Sequence, residues 1–106
     1  MPHDLAAKAA DIADHLHHNG FDPATAGQRQ ALALAEEVGE FVGAYRRWSG
    51  QARRTGSFSD VQTELADVVI TAYVTAHELG IDLDAVIADK LEEIFTRGWR
   101  EEPAGG

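Results

Sequence analysis

Apolar residues recur at three- and four-residue steps along almost the whole chain, and no stretch alternates with the two-residue step of a half-buried strand. Four such stripes predict four helices. Leu5, Ala9, Ile12 and Leu16 predict a first helix over residues 4–18, ended by Asn19-Gly20. Leu34, Val38, Phe41, Val42 and Tyr45 mark a second, opening near Asp22-Pro23 or at a Thr25/Gln28 capping box and running to about Trp48. Residues 49–59, SGQARRTGSFS, lack periodicity and read as the one substantial loop. Ser59 and Gln62 fit a second capping box, opening a third helix with Val61, Leu65, Val68, Val69, Ala72 and Ala76 on one face. Gly80 closes it, and Asp82 caps a fourth helix carrying Leu83, Val86, Ile87, Leu91, Ile94 and Phe95.

The expected fold is therefore all-α: a four-helix antiparallel bundle in which short connections make sequential helices neighbours. Residues 1–100 form one domain, and the tail EEPAGG, residues 101–106, is expected to be disordered. A chain of 106 residues supports a single small core, so a homo-oligomer is the reasonable prior.

Composition narrows the chemistry. With 18 Asp and Glu against 9 Lys and Arg the formal charge is −9, which argues against a nucleic-acid partner, because that affinity comes from neutralising phosphates with Lys and Arg. The absence of cysteine excludes disulfides, thiolate metal sites and cysteine nucleophiles. No apolar run approaches membrane-spanning length and the N-terminus lacks the pattern of a signal peptide, so a cytoplasmic protein without a membrane partner is expected. Four arginines, Arg46, Arg47, Arg53 and Arg54, cluster at the end of the second helix and in the loop.

Two acidic pairs repeat one spacing: Glu37/Glu40 in EEVGE and Glu64/Asp67 in ELAD. Each pair falls on the same-handed flank of its helix's apolar stripe, the first acid roughly 75° from the stripe's centre and the second roughly 60° further round. Matching flanks of two antiparallel helices can bring all four carboxylates around one cavity. None has a lysine at i+4 to offset it, and an uncompensated set of oxygen ligands suits a hard cation such as Mg²⁺.

EEVGE at 36–40, then ELAD at 64–67 after a 23-residue interval, resembles the EExxE…ExxD signature of the MazG-like, all-α NTP pyrophosphohydrolase superfamily. Its relatives include dimeric dUTPases, dCTP pyrophosphatases and phosphoribosyl-ATP pyrophosphatases. The similarity runs from about Gln28 to Trp99 and takes in Trp48, the LGID turn and Lys90…Arg97-Gly-Trp99. The resemblance implies a homodimer or dimer of dimers that hydrolyses a nucleoside triphosphate between its α and β phosphates, releasing a monophosphate and pyrophosphate, as in the house-cleaning of non-canonical or excess nucleotides. It implies Mg²⁺, with Mn²⁺ as a substitute, on Glu37, Glu40, Glu64 and Asp67; Glu36 or Glu37 as the base for the attacking water; and Trp48, Lys90 and Arg97 on the substrate. The chain departs from the family's last-helix run KxxKNxxRxW, where Glu93 and Ile94 replace a Lys-Asn pair that helps hold phosphates. Arg46, Arg47, Arg53, Arg54 or a neighbouring subunit would have to supply that grip. An alternative reading is a helical subunit that keeps the acids but only binds or regulates.

His15, His17 and His18 lack a partner ligand at recognisable spacing and read as an exposed helix end. A di-iron bundle would need Glu-x-x-His pairs, and neither acid motif has one.

Overall fold

The computed structural model describes residues 4–97. Four α-helices run in order, α1 Leu5–His18, α2 Ala26–Trp48, α3 Phe58–Leu79 and α4 Leu83–Arg97, with a 3₁₀ turn at Pro23–Thr25. There is no strand among the described residues, as the periodicity predicts. Trp99 and the tail at 101–106 lie outside them.

Local chemistry sets the ends. Asp4 Oδ1 accepts from the Ala7 amide at 3.0 Å and starts α1. α2 begins after Thr25, which stands at its N-cap position without a side-chain cap; Asp22 Oδ1 accepts from the Ala24 amide at 2.9 Å and caps the 3₁₀ turn that leads into the helix. The capping box of α3 lies two residues earlier than the sequence suggests. Ser57 Oγ accepts from the Asp60 amide at 3.1 Å while the Asp60 carboxylate accepts from the Ser57 amide at 3.5 Å, and an acid outcompetes a neutral Gln62 at such a helix start. Gly80 at φ 71° ends α3, and Asp82 Oδ1 takes the Ala85 amide at 3.2 Å.

The packing differs from a sequential four-helix bundle. α2 and α3 form the main pair, α1 lies against α3, and α4 extends away from the other three. The radius of gyration is 17.2 Å, against about 13 Å for a compact chain of this size. Small side chains carry the buried contacts, chiefly Ala9, Ala13, Ala26, Ala44, Val61, Val74 and Ala76. Thr75 Oγ1 lies 3.2 Å from the Gln30 carbonyl of α2 and 2.7 Å from its own Thr71 carbonyl, so one buried hydroxyl ties α3 to α2. His17 Nε2 approaches Glu78 Oε1 at 3.1 Å and holds α1 against the end of α3. The expected stripe residues Val38, Val42, Tyr45, Leu65 and Val69 remain exposed, as do Val86, Ile87 and Leu91, and Phe95 is 85 % exposed. Short connections allow sequential packing without enforcing it; α4 has nothing of matching shape left in its own chain. No helix among the described residues is long and apolar enough to cross a membrane.

Candidate metal and phosphate site

Three of the four predicted acids meet. Glu37 and Glu40 on α2 and Glu64 on α3 each present a carboxylate oxygen, and these oxygens all lie within 4.8 Å of one another. The pairing of α2 with α3 brings together acids 24 to 27 positions apart in sequence. Asp67 stands outside that tight group, yet its charge acts on both Glu37 and Glu64.

The cluster is electrostatically unfinished. Glu37 Oε2 and Glu64 Oε2 are shielded from water and have no hydrogen-bond partner. A buried carboxylate oxygen without a donor is costly, and this cluster holds two. Burial pushes the Glu37 carboxyl above the usual carboxylate range, and the charges of Glu40, Asp67 and Glu64 push it further. Glu64 is raised for the same reasons, first by burial and then by Glu40 and Asp67, with Arg47 pulling the other way. An all-oxygen donor set with two dry, unpartnered oxygens fits a small divalent cation.

Arg47 is the one arginine of the four whose charge is felt at Glu64, and it is half-buried while Arg46, Arg53 and Arg54 are exposed. Its side chain turns back along α2: a Cβ placed on Gly43 would lie 3.2 Å from Nη1. The loop folds onto its base, where the Gly56 amide donates to the Arg47 carbonyl at 3.3 Å and a Cβ at Gly56 would come 3.0 Å from that of Arg47. Among the described residues no carboxylate lies within 4.0 Å of Arg47. Its charge reaches Glu64 without being spent in an ion pair there.

The remaining predicted residues are spread out. Glu36 is exposed and lines a neighbouring cavity with Thr25, Gln28, Arg29, Leu32 and Ala33, outside the acid group. Trp48 packs against Phe58 with ring centroids 4.9 Å apart and planes tilted by 52°, and meets Tyr45 edge-on at 5.9 Å, and it is partly exposed at the end of α2. Lys90 pairs with Glu93 at 3.7 Å, and both Lys90 and Arg97 lie exposed on α4, which does not pack on the α2–α3 pair. Among the described residues His15, His17 and His18 form no ligand group with other side chains. Sequence reading passed over Arg29, whose only signal was a lone cation ahead of the acid motif.

No curated protein and no solved structure matches the chain. The profile of one protein family does, that of phosphoribosyl-ATP pyrophosphohydrolase, over residues 4–93, a span that takes in both acid motifs and all but the last residues of α4. Four helices, a carboxylate cluster across α2 and α3 and this match agree: the chain belongs to the phosphoribosyl-ATP pyrophosphohydrolase family, hydrolases of phosphoanhydride bonds within the MazG-like all-α superfamily.

Proposed function

We propose that this protein cleaves a nucleotide 5′-triphosphate between its α and β phosphates, with phosphoribosyl-ATP, the substrate in the family's name, as the first candidate and other (d)NTPs as the house-cleaning alternative. The observation that carries the reading is the pair of dry, unpartnered carboxylate oxygens on Glu37 and Glu64. Glu37, Glu40, Glu64 and Asp67 would hold Mg²⁺ or Mn²⁺, which when bound neutralises polyphosphate charge, polarises the attacked phosphoryl group and acidifies a coordinated water.

The chain's own residues divide the remaining work. Glu37 is better placed than Glu36 to take the proton of the attacking water, since its Oε2 lies inside the acid group and has no other partner. As the water oxygen bonds to phosphorus, the bond to the bridging oxygen breaks and pyrophosphate leaves. Arg47 supplies a guanidinium for the non-bridging oxygens, in place of the Lys-Asn pair that Glu93 and Ile94 replace. Trp48 offers an exposed ring face for a base.

The protein acts as a homo-oligomer, a dimer or dimer of dimers, in which the apolar side of α4 covers the exposed stripes of another copy. Lys90 and Arg97 would then serve a partner's site rather than their own, because α4 leaves the α2–α3 pair.

The test is pyrophosphate release, with Mg²⁺ or Mn²⁺, from phosphoribosyl-ATP and a panel of canonical and modified (d)NTPs. Release that vanishes in Glu64→Gln and Asp67→Asn is expected. Orthophosphate as the product, or full activity in Glu64→Gln, would overturn the proposal.

A further inference from the structure

The positive charge of this chain is concentrated at one end of α2. Arg46, Arg47, Arg53 and Arg54 are four of its nine basic residues, and the stretch 41–59 that holds them has no Asp or Glu, while the rest of the chain sets the other five against all eighteen acids. Arg46, Arg53 and Arg54 are exposed, and among the described residues none of them lies within 4.0 Å of a carboxylate. Arg46 and Arg47 stand in the last turn of α2, where a cation offsets the helix dipole. Arg53 and Arg54 lie beyond the helix end, so that role does not account for them.

The loop keeps them there. The chain turns at Gly50, with φ 82°, and the Gln51 amide donates to the Arg46 carbonyl at 2.8 Å. Five residues on, the Gly56 amide donates to the Arg47 carbonyl at 3.3 Å. Arg53 and Arg54 are therefore carried on a short segment fastened at both ends to the last turn of α2. The packed rings of Tyr45, Trp48 and Phe58 stand where that segment leaves α2 and enters α3.

Charges fixed at that end act on an incoming ligand without touching it. A nucleoside triphosphate is a polyanion, and a chain of net charge −9 repels it over most of its surface. Arg47 follows Glu40 by seven residues, close to two full turns, which puts the basic end about 10 Å along α2 from the acid group and on the same side of the helix. That is about one Debye length at physiological ionic strength, so attraction from this end reaches the acid group while remoter charges are screened. The Arg47 charge is felt at Glu64.

We propose that Arg46, Arg53 and Arg54 steer the nucleotide's polyphosphate to the α2 end of the site, setting the rate of encounter and adding nothing to the grip once the ligand is seated on Arg47. This rests on the phosphoanhydride-hydrolase reading above and adds three positioning residues to it. They touch no reacting atom. Steering needs charge in the right place rather than the guanidinium fork, so lysine serves as well as arginine and glutamine does not.

Two measurements separate the field from the reaction, both in a Trp99→Phe background that leaves Trp48 as the one tryptophan. At low ionic strength, the quenching of Trp48 by iodide relative to caesium should exceed the ratio found for N-acetyltryptophanamide, despite the net charge, and should fall when Arg46→Gln, Arg53→Gln and Arg54→Gln are combined. A wild-type ratio at or below that of the free amide, or one that the triple Gln variant leaves unchanged, overturns the proposal. In stopped flow with Mg²⁺, followed through Trp48, α,β-methylene ATP cannot be cut at its α–β link and reports association alone. At about 10 mM salt it should associate about tenfold more slowly with the triple Gln variant, with its dissociation rate unmoved, and the difference should close near about 0.5 M salt. Arg46→Lys, Arg53→Lys and Arg54→Lys together should associate like wild type. Equal association rates for wild type and the triple Gln variant at low salt, a loss carried by dissociation, or a loss that lysine does not restore overturns the proposal. Pyrophosphate release by a wild type whose association ignores the three arginines removes the steering and leaves the hydrolase reading. Steered association in a protein that releases no pyrophosphate from any nucleotide removes the hydrolase reading and leaves the steering.

Discussion

Tyr73 Oη donates a 2.6 Å hydrogen bond to Asp84 Oδ1, tying the middle of α3 to the first turn of α4. Little else holds α4 to its own chain, so this bond fixes the angle at which the helix leaves the α2–α3 pair.

Tyr73→Phe should therefore raise hydrogen exchange across α4 by about tenfold, the equivalent of one hydrogen bond to a charged group, with the α2 and α3 amides unmoved. The bond to Asp84, followed by burial and the Asp84 charge, pushes the Tyr73 phenol above its ordinary value of 10. A folded pKa above the unfolded one gives stability that is full below about pH 10 and lost as pH rises through the folded value. Wild type and Tyr73→Phe should differ at pH 8 and converge in strong alkali, as read by exchange or by the near-ultraviolet signal of Tyr73.

The acid cluster makes a prediction of the same sign, in a lower pH range, for the metal-free protein. Glu37 and Glu64 both have folded pKa values above the ordinary 4.5 of a glutamate, through burial and then the charges of the neighbouring acids. The native state therefore holds protons that the unfolded chain has released, and stability falls as pH rises from about 4.5 toward neutrality. In EDTA, Glu64→Gln should flatten that decline and melt higher than wild type at pH 7. Mg²⁺ should raise the wild-type melting temperature and leave Glu64→Gln nearly unmoved. A wild-type Tm indifferent to Mg²⁺ counts against a metal site.

Arg47→Gln should lower kcat/KM about a hundredfold, the loss of one charge-assisted grip on phosphate of roughly 2–3 kcal/mol. Removing a cation next to Glu64 cannot weaken Mg²⁺ binding electrostatically. Calorimetry should therefore find Mg²⁺ affinity undiminished. A variant that loses metal and activity together would place Arg47 in the scaffold of the loop instead.

Leu91 and Phe95 lie on the exposed apolar side of α4. If α4 covers another copy as proposed, Leu91→Asp with Phe95→Asp should give a smaller species than wild type in sedimentation velocity and drop the melting temperature by several degrees. An unchanged sedimentation coefficient would mean that α4 is not the contact.

Helix number, helix type and the acid pairs were legible because each is a short-range pattern. The α4 cap, Asp82, was readable for the same reason, whereas Asp4 read as the first residue of α1 and is its cap. The α3 cap was not, since Ser57/Asp60 and Ser59/Gln62 compete within five residues and only geometry chooses between them. Side-chain stripes announce that a face wants cover but not who provides it. That is why Val38, Leu65 and Leu91 read as the core of one bundle and stand open in one chain.

The alanine-rich contacts among α1, α2 and α3 are close but bury no large side chain completely. Such a core leaves the single chain near the margin of folding, and the apolar side of α4 adds nothing until it meets another surface. In the proposed homo-oligomer folding would be tied to encounter: the fraction of structured molecules would rise with protein concentration, and dilution would act on this chain as a denaturant.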